Sequence, residues 1–146
     1  MGDDIQVRRA RIEEIRPLAA EYKQEQENEL GIPARAPLPQ GGIFWIAEEA
    51  GTPLGYAAGT LRATGCTVGP VFARRQARRR GVGQALLTAI QQWAQQTRVP
   101  VVEISVAADN EVGRHFLESL GYEPRRILMS LTPDPQRAGG RDGDGA

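Results

Sequence analysis

Cysteine and histidine are almost absent from this 146-residue chain, which holds only Cys66 and His115. A lone cysteine excludes an intrachain disulfide, and one Cys with one His cannot form a zinc-type cluster, so no metal site is expected. Aromatic residues make up only 5% of the sequence, too few to interleave with a basic surface as base-stacking platforms. Net charge is missing as well. Eighteen basic residues cancel eighteen acidic ones, which argues against a dedicated polyanion binder, and nucleic acid is not an expected partner. No apolar run approaches the roughly 20 residues that span a bilayer, and Met-Gly-Asp-Asp at the start lacks a basic segment followed by an apolar one. The expectation is therefore a protein of the reducing cytoplasm with no membrane partner.

What is present is a 40% apolar composition, enough for one compact domain that buries about two-thirds of its unfolded surface. Residues 1–132 are expected to form that domain. Residues 133–146 contain Pro, Gly and Asp but almost nothing apolar, and read as a disordered tail. Ile5 to Arg9 reads as a strand; Ile12, Ile15, Leu18, Ala19 and Tyr22 then recur at helical spacing. A helix start near Glu14 to Arg16 would put Pro17 in the tolerated first turn. The acidic stretch from Glu21 to Glu29 leads into a loop broken by Gly31, Pro33, Pro37 and Pro39. Ile43–Glu48 and Leu54–Leu61 suit a hairpin joined by residues 49–53, and Cys66–Ala73 supplies a third strand. A helical stripe of Val82, Leu86, Ala89, Ile90 and Trp93 follows. A strand from Val101, a helix from Asn110 to Leu120 stopped at Gly121, and a last strand from Arg126 to Leu131 complete the pattern. This order gives an α+β (mixed α/β) fold with antiparallel hairpins and one parallel crossover.

The run from Val71 to Gly83 holds five arginines among the seven residues from Arg74 to Arg80, then Gly81 and Gly83 at the start of a helix. Glycines there let a ligand approach the backbone, and the unpaired N–H groups and dipole of the helix end attract an anion. Neither standard nucleotide fingerprint fits, because position 86 is Leu86 rather than glycine and no Gly-Lys-Ser/Thr occurs. The pattern present is Arg/Gln-x-x-Gly-x-Gly, with Arg78, Gly81 and Gly83. It resembles motif A of the GNAT superfamily of acyl-CoA N-acetyltransferases. A second block, Asn110, Gly113, Phe116, Gly121 and Tyr122, resembles the later motif of the same family at the right distance.

The resemblance covers about residues 5–131. It implies a central, mostly antiparallel sheet with a splayed parallel strand pair flanked by helices, and acetyl-CoA as co-substrate. Backbone groups around Val71 and Ala73 would meet the pantetheine arm. The amides of Arg79, Arg80, Gly81, Val82, Gly83 and Gln84 would hold the pyrophosphate, one or two of Arg78 to Arg80 would touch phosphate, and Asn110 would line the coenzyme site. Gly69-Pro70 reads as a bulge, since proline cannot donate to a ladder.

The acceptor implied is a primary amine: a small amine, an amino acid or a protein N-terminus, acetylated directly in a ternary complex. An alkyl amine with pKa near 10.4 is only about one part in a thousand neutral at pH 7, so a base is needed. The two positions where the family carries a catalytic glutamate hold Thr67 and Ser105 here. Glu103 is the nearest substitute, two residues from Ser105 on the same strand face and about 6.6 Å away. Leu117 replaces the tyrosine that commonly protonates the departing thiolate. These departures leave a second reading open, a non-catalytic acyl-CoA-binding or regulatory module. A homodimer is compatible with either. Cys66 reads as a core residue and His115 as an unrelated surface or packing residue.

Overall fold

The computed structural model describes residues 4–31 and 38–134. Pro33, Pro37 and the tail beyond Asp134 lie outside the described residues. The chain forms two compact units, Met1–Ser105 and Val106–Ala146.

The first unit is a five-stranded sheet in the order β1-β2-β3-β4-β5. Its strands are β1 (Gln6–Ala10), β2 (Ile43–Glu49), β3 (Thr52–Arg62), β4 (Gly65–Ala73) and β5 (Val102–Ile104), with helices α1 (Ile12–Leu30) and α2 (Val82–Thr97). Strands 1 to 4 pair antiparallel, while β4 and β5 are parallel and pair only over Cys66–Val68 and Val102–Ile104. Beyond Val68 the two strands part company, which is the expected splay.

Side-chain alternation assigns the helices to faces. Phe44, Ile46, Tyr56, Ala58 and Phe72 pack with Ile15 and Leu18 of α1. Trp45 points the other way, and its ring meets Trp93 of α2 edge-on at 5.3 Å. The two helices therefore cover opposite faces. The hairpin between β2 and β3 is tighter than the residues 49–53 suggest: Glu49 pairs Thr52, and both turn residues, Ala50 and Gly51, have positive φ (51° and 82°). That is the signature of a type I′ turn.

Helix α1 begins at Ile12, earlier than the expected start near Glu14 to Arg16. The Glu14 carboxylate accepts the Arg11 N–H at 2.9 Å, and the Arg11 carbonyl accepts the Glu14 N–H at 2.9 Å, closing the first turn upstream. Pro17 is then the sixth helical residue, past the tolerated first turn. It leaves the carbonyl of exposed Glu13 without a helical donor, open to water.

The second unit contains α3 (Glu111–Ser119). Gly121 (φ 99°) ends it with the Gly121 N–H on the Glu118 carbonyl and the Tyr122 N–H on the Leu117 carbonyl, both at 3.0 Å. This is a Schellman stop. The last expected strand does not form: Arg126–Leu131 has no regular structure, and Ile127, Leu128 and Met129 are 82–92% exposed. An apolar run becomes a strand only when a neighbour completes its ladder, and no neighbouring strand pairs this one among the described residues.

Candidate active site

Past the splay, β4 offers backbone to a ligand. The register shifts between Ala57 and Gly59, so that Gly69 and Pro70 together face Ala58. This is the bulge that the Gly-Pro pair suggests, and the Gly69–Pro70 peptide is cis. Downstream, the Arg74 N–H turns toward β3 and donates to the Leu54 carbonyl at 2.8 Å. Backbone groups alternate along a strand, so the N–H groups of Val71 and Ala73 point to the opposite side, where β5 no longer pairs.

A 3-10 turn, Arg75–Ala77, then carries the chain to α2. Arg79 (φ 66°) and Gly81 (φ 84°) both adopt left-handed backbone there. The first internal bond of α2 is from the Ala85 N–H to the Gly81 carbonyl at 2.9 Å. Six consecutive amides, Arg79 to Gln84, have no protein acceptor among the described residues, and no acidic side chain occupies the first turn. A Cβ built on Gly83 would meet nothing within 4 Å, and Gly83 has no positive φ. Nothing in the protein itself thus requires glycine at that helical position, where it costs about 1 kcal/mol relative to alanine. An anion resting on the amides would supply the missing reason, and the residues present fit a pyrophosphate.

The arginines divide. Arg78 donates to Glu25 and, through Nε, to the Ala73 carbonyl at 3.1 Å; Arg80 pairs with Glu49 at 2.7 Å; Arg74 pairs with Glu21 at 3.1 Å. Arg79 is exposed and makes no side-chain bond among the described residues, so its charge is the one at the cradle not already committed.

A cavity of about 250 Å³ opens beside this strand, lined by Tyr22, Glu25 and Glu29 of α1 and by Val71, Phe72 and Ala73 of β4. The Tyr22 and Phe72 rings meet edge-to-face, their centroids 5.4 Å apart. Burial pushes the Tyr22 hydroxyl up from its usual pKa, so it stays protonated at neutral pH. In the sequence, the spacing of Tyr22 marks it only as part of the apolar stripe of α1. A wider groove of about 680 Å³, with Asp4, Glu49, Thr52 and Arg80 on its wall, lacks both the open strand edge and the glycine turn.

Glu103 pairs in register with Thr67. Paired residues on neighbouring strands share a face and lie roughly 4.8 Å apart, so the glutamate stands beside the very position where the resemblance expects a carboxylate. Thr67 in turn pairs Thr60, and the alternation along β3 through Ala58 and Tyr56 puts both on the α1 face. Cys66 is 1% exposed, and burial pushes its thiol up, as befits a core residue rather than a nucleophile. Tyr56, also 1% exposed, belongs to the core against α1. In the second unit, Asn110 caps α3, its Oδ1 accepting the Gly113 N–H at 2.9 Å. A Cβ on Gly113 would lie 2.6 Å from Asn110 Nδ2 and 3.1 Å from Val106 Cγ2, which accounts for that glycine. Leu117 is buried and His115 exposed.

A family profile described as Acetyltransferase (GNAT) family matches residues 12–122. The chain belongs to this family. Solved structures share the fold. An integron cassette protein from V. cholerae superposes with a TM-score of 0.68 at 14% identity, over 94% of this chain and 98% of the other. A GCN5-related N-acetyltransferase from Ralstonia eutropha JMP134 gives 0.66 at 14% identity, over 88% and 98%. The aminoglycoside N-acetyltransferase AAC(6′)-Iy in complex with CoA gives 0.65 at 18% identity, over 87% and 98%. No curated protein matches the sequence. Among the described residues no helix is long and apolar enough to cross a membrane.

Proposed function

We propose that the protein is a cytoplasmic N-acetyltransferase that moves an acetyl group from acetyl-CoA to a primary amine by direct transfer in a ternary complex. The observation that carries this reading is the run of six amides from Arg79 to Gln84 that have no acceptor among the described residues, leading from a strand edge that is itself open among them at Val71 and Ala73. Bound acetyl-CoA supplies the acetyl group already activated as a thioester. The chain's residues do the rest. The cradle amides and Arg79 hold the phosphates, and the outward N–H groups of Val71 and Ala73 bind the arm and stabilise negative charge on the thioester oxygen. Glu103, directly or through a water, takes the proton of the incoming ammonium. Leu117 offers no proton, and Tyr22, a neutral phenol lining the cavity beside β4, is the side chain on the first unit assigned that role.

Gly83→Asp tests the site. Its new Cβ meets open space, so the variant should melt near wild type, while the carboxylate sits where the pyrophosphate belongs and should abolish coenzyme A binding in calorimetry. Retained binding in the folded variant would refute the assignment. Free-thiol release from acetyl-CoA across a panel of amines then separates an enzyme from a non-catalytic coenzyme-binding module, the reading that Leu117, Thr67 and Ser105 keep alive.

A further inference from the structure

Arg78 belongs to two sites at once. It stands on the turn that carries the amide cradle, yet its side chain reaches α1, where Nη2 donates to Glu25 Oε1, and its guanidinium carbon lies 6.0 Å from the centre of the Phe72 ring. Glu25 in turn lines the cavity with Tyr22 and Glu29. The pair is half-sheltered, with the Glu25 side chain 16% exposed and that of Arg78 41%. Such a pair persists only while neither member finds a better partner.

The proposed reaction brings a better partner for each. Phosphate is the preferred, bidentate partner of a guanidinium, and a pyrophosphate on the amides that begin at Arg79 lies next along the chain. A cation in the cavity is the corresponding partner for Glu25. The reacting amine must be neutral, so the charge that Glu25 holds is a different one on the same molecule. The geometry points to the Arg78–Glu25 pair as a coupling element: coenzyme phosphate draws Arg78 away, and the released Glu25 carboxylate binds the second cationic centre of a diamine or polyamine acceptor. This rests on the proposed coenzyme site and assigns the acceptor class to the cavity beside it. Coupling is reciprocal, so a dication that holds Glu25 frees Arg78 and strengthens coenzyme binding by the same factor. Glu29 lines the same cavity without touching Arg78 and serves as a control for charge alone.

The test is calorimetric titration of coenzyme A into the full chain, with and without saturating 1,4-diaminobutane. Wild type should bind coenzyme A about 5- to 10-fold more tightly with the diamine present. Glu25→Gln should show a similar gain without diamine and no further response to it, Glu29→Gln should stay within about twofold of wild type, and Arg78→Ala should bind coenzyme A more weakly and ignore the diamine. A merely structural role for Glu25 would weaken binding instead. Unchanged or weaker coenzyme affinity in folded Glu25→Gln overturns the inference, as does an equal diamine response in wild type and that variant. The wild-type titration needs no variant, and an unchanged affinity with diamine overturns the inference by itself. Wild type that binds no coenzyme A removes the proposed function, whereas wild type that binds without coupling removes only this inference.

Discussion

Two arginines stand in left-handed backbone, and they do so for different reasons. Arg98 (φ 60°) closes α2, with the Val99 N–H on the Ala94 carbonyl at 2.9 Å, a position that glycine fills without strain. Arg98→Gly should therefore stabilise the fold by up to about 1 kcal/mol, the relief of left-handed strain less the added unfolded-state entropy, and coenzyme binding should not change. Arg79 (φ 66°) has the same strain at the cradle. Arg79→Gly should raise the melting temperature yet weaken coenzyme A. Equal coenzyme affinity before and after would remove Arg79 from the site. Glu103 poses the opposite question, since its register with Thr67 gives it a reach and not yet a role. Glu103→Gln should slow turnover at neutral pH by about 10²- to 10⁴-fold and recover part of the rate as pH rises and the acceptor loses its proton unaided. A purely structural glutamate would shift melting without tilting the pH–rate profile.

Elements add a constraint that single residues do not. Arg8 of β1 holds Glu14 of α1 at 2.7 Å and Glu48 of β2 at 3.0 Å. The Arg8 guanidinium, helped by the Arg11 N–H, holds the Glu14 carboxyl down to about 2 from the ordinary 4.5. A depressed carboxyl contributes stability that is complete above the unfolded value and is lost as pH falls through the folded one. Unfolding monitored between pH 4.5 and 2 should thus show an acid-labile component. Glu14→Gln should flatten that limb, and an unchanged acid profile would show that the exposed cluster contributes nothing. Alternation and turn chemistry made strands 1 to 4 and all three helices legible, because each buries a face whose period is written locally. The start of α1 escaped because a carboxylate three residues inside the helix fixes it. The Arg78–Glu25 pair joins residues 53 apart, a contact no local pattern encodes. Arg126–Leu131 has strand composition without a ladder partner, and composition alone cannot show which neighbour is missing.

At the scale of the whole molecule, neutrality and local charge coexist: the sum over the chain is zero, while α2 begins with open amides beside an uncommitted arginine. A ligand that uses that end binds only the folded chain, so coenzyme A at 100 times its Kd should add about 2.7 kcal/mol of stability. For a chain of this size that corresponds to a melting shift of about 5–10 °C. The tail should take no part in it. Residues 133–146 carry one Gln, two Arg and a string of Pro, Gly, Asp and Ala, with too little apolar surface to offset the entropy of ordering them, about 1–2 kcal/mol for each residue's backbone. We therefore propose residues 1–132 as the folding and binding domain. A chain ending at Thr132 should melt where the full chain melts and show the same coenzyme-induced shift. A drop of several degrees without ligand would mean that the tail docks on the fold, and a loss of the ligand shift alone would mean that it closes over the coenzyme.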